Sequence, residues 1–87
     1  MNGDPIQNLL NRIDQDSDFA TKHDAFVAET LECGGSYQAQ AGNTFMIDLH
    51  GIRVLANSEA NAHELWLRAA NIQMRRLASL ANLGGAA

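Results

Sequence analysis

Asp48, His50 and Arg53 stand within six positions of one another in the stretch DLHGIRV. An acid, an imidazole and a guanidinium so close together could transfer a proton or hold an anion. Whether they act together depends on where the chain bends. Asp14, Asp16 and Asp18 alternate like the first ligands of a calcium loop. That loop needs glycine at its sixth position and a bidentate glutamate at its twelfth, where this chain has Phe19 and Ala25. Helix capping is the simpler use for these acids. His63-Glu64 lacks the second histidine of a zinc-protease helix, since position 67 is Leu67. His23, His50, His63 and the single cysteine, Cys33, show no ligand spacing along the chain, and no phosphate-binding glycine loop or nucleophile elbow occurs. The reading is therefore of a protein that is not an enzyme, with no catalytic residues, no metal site and no cofactor.

The elements that position these residues follow from periodicity. Asp4 can cap a first helix and Pro5 suits its first position, and Ile6, Leu9, Leu10 and Ile13 form one stripe, predicting a helix over 5–14. A second helix over 17–33 has Asp16 or Ser17 as its cap, Phe26, Val27, Thr30 and Leu31 on one face with His23, and Gly34-Gly35 as its stop. From Ser36 the apolar period becomes two, and residues 36–56 read as a three-stranded sheet. The apolar parity breaks between Leu49 and Ile52, and a two-residue turn at His50-Gly51 restores it. In that register Leu49 faces Ile52, Ile47 faces Val54 and Phe45 faces Ala56. On the other side Asp48 faces Arg53 and Met46 faces Leu55. A three-residue loop, Ala41-Gly42-Asn43, sets Gln40 opposite Thr44 and Tyr37 opposite Ile47. The core face is then Tyr37, Ala39, Phe45, Ile47, Leu49, Ile52, Val54 and Ala56. The last helix, 58–83, is capped by Asn57 or Ser58 and stopped by Gly84-Gly85, with Ala62, Leu65, Trp66, Ala69, Ile72, Leu77, Leu80 and Leu83 as its main stripe. The expected fold is a single α+β domain in the order ααβββα.

About 25 helical residues span roughly 37 Å, whereas a six-residue strand spans roughly 20 Å. The last helix must overhang its own sheet. Its excess apolar surface at Met74, Leu77, Leu80 and Leu83 is the expected interface of a homodimer. Charge is also uneven. Residues 1–35 hold two cations and seven acids, a net of −5, and the remainder holds four cations and three acids, a net of +1. The acids of the first half either solvate the two helices or meet a basic protein partner, with Asp14, Asp16, Asp18 and Asp24 as the contact residues. One cysteine cannot form an internal disulfide, the N-terminal stretch MNGDPIQNLLNRIDQ lacks the pattern of a signal peptide, and no run is long and apolar enough to cross a membrane. The expected location is the cytoplasm.

The helix–three strands–helix order resembles double-stranded-RNA-binding domains in topology. Their last helix starts with a lysine-rich phosphate-binding motif. This one starts Ser58-Glu59-Ala60-Asn61, and a net charge of −4 opposes direct contact with nucleic acid. In its size, its acidity and the run from SYQAQ to LASLANLGG, a small meander backed by a helix, the chain resembles the small α/β proteins of phages and mobile elements of the anti-CRISPR inhibitor type. That resemblance implies occupation of a basic, nucleic-acid-binding surface on a host effector complex, without chemistry.

Overall fold

Three helices and one sheet follow in the order α1 (Pro5–Arg12), α2 (Phe19–Cys33), β1 (Ser36–Gln40), β2 (Thr44–Leu49), β3 (Ile52–Ala56) and α3 (Glu59–Ala86). This computed structural model describes residues 5–13 and 16–86, with side chains to residue 79. The architecture is α+β, with the expected element order. Asp4 and Asp14 lie outside the described residues.

The sheet is an antiparallel meander with β2 in the centre. Its register is the one that apolar parity predicts: Leu49 faces Ile52, Ile47 faces Val54, Phe45 faces Ala56, and Asp48 faces Arg53. Gln40 faces Thr44 and Tyr37 faces Ile47 across the other junction. The corner at His50-Gly51 has φ of 53° and 81°. Positive φ at both turn residues matches the right-handed twist of the two strands it joins. On the core face Ile47, Leu49 and Ile52 are buried, whereas Ala39 is exposed because β1 is the edge strand and its last three residues lie uncovered. The outer face is not uniformly wet. Met46 is 4% exposed between Gln38 and Leu55 on the flanking strands, and Gln40 Nε2 donates to its sulfur, while Leu55 stays exposed.

The helix ends show how local chemistry sets boundaries. α2 starts at Phe19 because Asp18, rather than Asp16 or Ser17, is the cap: its Oδ1 accepts the Thr21 N–H at 2.9 Å. It stops at Gly34, which adopts φ 79° and donates its N–H to the Thr30 carbonyl. Ser58 caps α3 by accepting the Asn61 N–H. α3 passes through Gly84-Gly85 rather than ending before them. A glycine pair permits a left-handed stop without imposing one, and helical glycine costs only about 1 kcal/mol.

Two buried faces differ from the periodic reading. α2 buries Lys22, Ala25, Phe26 and Glu29, and leaves Leu31 81% exposed. α3 buries Ala62, His63, Trp66, Leu67 and Ala70, while Leu65, Ile72 and Leu77 remain exposed. For Ile72 and Leu77 the reason is position. The Trp66 indole donates to the Ile52 carbonyl at 3.2 Å, so seven residues into α3 the helix is already at the corner end of the sheet. Beyond that point α1 covers it on one side through Ile6, Leu9 and Ile13, and Leu10 and Met74 pack half-buried against the same cluster. Nothing among the described residues encloses Ile72 or Leu77.

Gly35 locks the end of α2 onto the sheet. A Cβ there would strike the Asp48 carbonyl and lie 2.5 Å from Leu49 Cδ2, whereas one at Gly34 would meet nothing within 4 Å. Gly34→Ala should therefore cost only the left-handed penalty of about 1 kcal/mol. Gly35→Ala should cost at least about 2 kcal/mol by forcing α2 and β2 apart. Urea titrations of the two variants check this order, and equal losses would contradict the close approach.

Candidate functional site

The structure assembles two polar clusters from residues distant in sequence. The first joins α2, β1 and α3. Tyr37 lies on the core face of β1, where parity places it, and its hydroxyl meets Glu59 and His63, one turn apart at the start of α3. His23 Nδ1 from α2 sits 2.9 Å from Glu59 Oε2 and 3.3 Å from the Tyr37 hydroxyl. Hydrogen-bond accounting assigns the protons. The ionised Glu59 only accepts, so the Tyr37 O–H donates to it, and the Tyr37 oxygen then accepts from His63 Nε2–H at 2.6 Å. His63 is therefore the Nε2–H tautomer, and its Nδ1 lone pair is buried without a hydrogen-bond partner. An unmet acceptor of this kind is a real cost in a closed core.

Aromatic rings enclose His63, with centroids 5.0 Å away at Phe26 and 4.9 Å at Phe19. Its relative exposure is 1%. Burial pushes its pKa down to about 4, helped by the nearby charges of Lys22 and His23 and opposed by Glu59. Burial would raise Glu59, but the bonds from Tyr37 and His23 outweigh it and hold the carboxyl below its ordinary value. Burial and then the Glu59 carboxylate push the Tyr37 phenol far up, so it stays protonated. A locked phenol and an enclosed neutral imidazole make this cluster a joint between three elements.

The second cluster forms where α2 ends against the hairpin corner. His50 Nε2 lies 2.6 Å from Glu29 Oε2. The side chains are 9% and 10% exposed. Arg12, at the end of α1, reaches the other oxygen, Glu29 Oε1, at 3.2 Å. Cys33, one turn after Glu29, is exposed, and its Sγ lies 3.7 Å from Glu29 Oε2. Burial first, and then the Glu29 and Glu32 charges, raise this thiol's pKa. The thiol donates to a carboxylate rather than to an imidazole, and it is kept protonated. That arrangement does not suit an activated cysteine nucleophile.

The residues singled out in sequence are dispersed. His50 leaves Asp48 and Arg53 for Glu29, so DLHGIRV is a hairpin corner that carries one arm of a cluster. Asp16, Asp18 and Asp24 are exposed, and Asp18 is engaged in capping, with the bonds from Thr21 holding its carboxyl below the usual range. Met74 is half-buried against the chain's own core, Leu77 is 44% exposed, and the side chains of Leu80 and Leu83 lie outside the described residues. Sequence reasoning missed Glu29 and Glu59 as cluster residues and set His63 aside. Their one legible signal is spacing: Glu59/His63 and Glu29/Cys33 are both i, i+4 pairs, which share a helix face.

Family models, curated proteins and solved structures were all compared with the chain, and none matches it.

The enclosed imidazole carries a pH signature. Below about pH 6.5 the unfolded chain protonates His63 while the folded one resists until about pH 4, so stability falls across that interval as pH falls. A shift of this size corresponds to roughly 3 kcal/mol. Glu59, held below its ordinary value, adds a further loss at lower pH. His63→Gln should flatten the dependence between pH 6.5 and 4 in urea titrations. An unchanged slope would show that His63 is not the group responsible.

Proposed function

We propose that this protein acts by contact, as a self-associating module whose last helix is the meeting surface, and carries out no reaction of its own. The observation that carries this reading is the reach of α3. It is 28 residues long, about 42 Å at 1.5 Å per residue, and Trp66 already stands at the corner end of the sheet. The molecule's long axis is 48 Å against 25 and 24 Å across. Past residue 70 the helix presents Ile72, 42% exposed, and Leu77, 44% exposed, with no part of the described chain over them. Exposed aliphatic side chains on a protruding helix support an interface.

Charge favours a second copy as the occupant. After Glu64 the chain holds Arg68, Arg75 and Arg76 and no acid, while residues 1–35 carry a net of −5. Antiparallel pairing of two overhangs sets each helix tip beside the other copy's body. Its basic residues then approach the acids of the other copy's α2, an isologous arrangement that closes at two chains. Burying Ile72 and Leu77 contributes about 1.5–3 kcal/mol each.

A second reading rests on Asp16, Asp24 and Glu32, all exposed on or beside α2. They offer an acidic face to a basic protein surface, as the anti-CRISPR resemblance implies. Reversing Asp16 and Asp24 to lysine tests that face without uncapping α2, since Asp18 is left in place. Loss of partner capture with self-association intact would favour this reading over the first.

Sedimentation velocity across a concentration series tests the first reading. The natural chain should run at twice the chain mass at tens of micromolar. Ile72→Asp with Leu77→Asp should weaken association more than about a hundredfold while leaving the circular dichroism unchanged, because both residues lie outside the core. A chain-mass species throughout the series would refute self-association.

A further inference from the structure

Glu29, Cys33 and His50 offer one oxygen, one sulfur and one nitrogen, and these three atoms all lie within 4.8 Å of one another. We propose that they form a binding site for a single zinc-class divalent cation, with solvent as the fourth ligand. The site is separate from the α3 surface and does not depend on self-association.

The donor set fits that class of ion. A borderline-soft divalent cation takes thiolate, imidazole and carboxylate together in tetrahedral array. With metal–nitrogen and metal–oxygen bonds of about 2.0–2.1 Å and a metal–sulfur bond of about 2.3 Å, neighbouring tetrahedral donors stand about 3.3–3.6 Å apart. Here Glu29 Oε2 is 3.7 Å from Cys33 Sγ and 2.6 Å from His50 Nε2. Seating the ion needs the carboxylate–imidazole pair to open by less than about 1 Å, with the cation replacing the hydrogen that the pair now shares and the Cys33 thiol proton released to solvent.

The backbone holds the ligands in place. Glu29 and Cys33 are one turn apart on α2, so they project on the same side. His50 is fixed at φ 53° at the hairpin corner. The close approach of Gly35 to Asp48 and Leu49 clamps the end of α2 against the end of β2. Arg12 bonds Glu29 Oε1 and leaves Oε2 for the ion, which makes the carboxylate a one-oxygen ligand. Arg12 also places a positive charge nearby, which moderates affinity; its own side chain is 47% exposed, so solvent screens it. Cys33 is exposed, which gives the ion a way in and leaves room for the fourth ligand.

The test uses the full chain, stripped with chelator and then titrated with cobalt(II) or zinc(II) chloride. Cobalt(II) should bind at one equivalent and give a sulfur-to-cobalt charge-transfer band with tetrahedral d–d bands. Zinc(II) should displace it and raise the thermal midpoint. Cys33→Ser, at an exposed position, should fold as the natural chain does, lose the charge-transfer band and weaken binding at least about tenfold. His50→Asn should weaken binding comparably and abolish the zinc-dependent rise in midpoint. No cobalt spectrum from the natural chain, or an unchanged spectrum and affinity in Cys33→Ser, would overturn the assignment.

Discussion

Because His50 and Gly51 both sit at positive φ, β2 and β3 can face each other only with Leu49 opposite Ile52, and that pairing orders the rest of the molecule. It places Ile47, Leu49 and Ile52 on one face, which gives α3 a surface to lie on. It places the Ile52 carbonyl where it accepts the Trp66 indole, which fixes where α3 crosses the sheet. It also turns the His50 imidazole toward Glu29, tying the corner to α2 and, through Arg12, to α1. A slip of one residue would turn the apolar set outward and break all three connections.

The sheet was legible because its information is local. Parity along Phe45, Ile47, Leu49, Ile52 and Val54 admits one turn, and glycine at 42 and 51 marks where positive φ is cheap. The helices were legible as elements but not as faces. Glu29 read as one of the acids that solvate the helices or meet a partner, yet it is buried, as is Lys22. The partners of Glu29 are Arg12, 17 residues away, and His50, 21 residues away. His63 read as one of several scattered histidines, and its contact with Tyr37 spans 26 positions. Long-range polar contacts of this kind leave no period behind. Leu65 and Ile72 were placed on the main apolar stripe because they are apolar, yet both stay exposed, and Ile72 lies past the corner where the sheet ends.

The molecule therefore has a body and a rod. In the body, buried polar groups do much of the joining. The Tyr37–Glu59–His63–His23 cluster binds three elements near the start of α3, and the Arg12–Glu29–His50–Cys33 cluster binds the corner to the helices. Polar joints fix geometry more tightly than apolar packing, because each donor and acceptor must be met. In the rod, the distal half of α3 carries aliphatic and basic side chains with little of the body left to cover them. A body made rigid by its joints suits a role as the mount for an exposed helix, and the two proposals fall at separate places: a cation at the corner, a second chain along the rod.

Self-association through that rod is the claim on which the functional reading stands. An isotope-filtered NOE experiment on a mixture of labelled and unlabelled chains addresses it at the level of the residues involved. The account predicts cross-peaks from the Ile72 and Leu77 methyls of one chain to protons of another. A spectrum in which every contact of Ile72 and Leu77 arises within a single chain would contradict it.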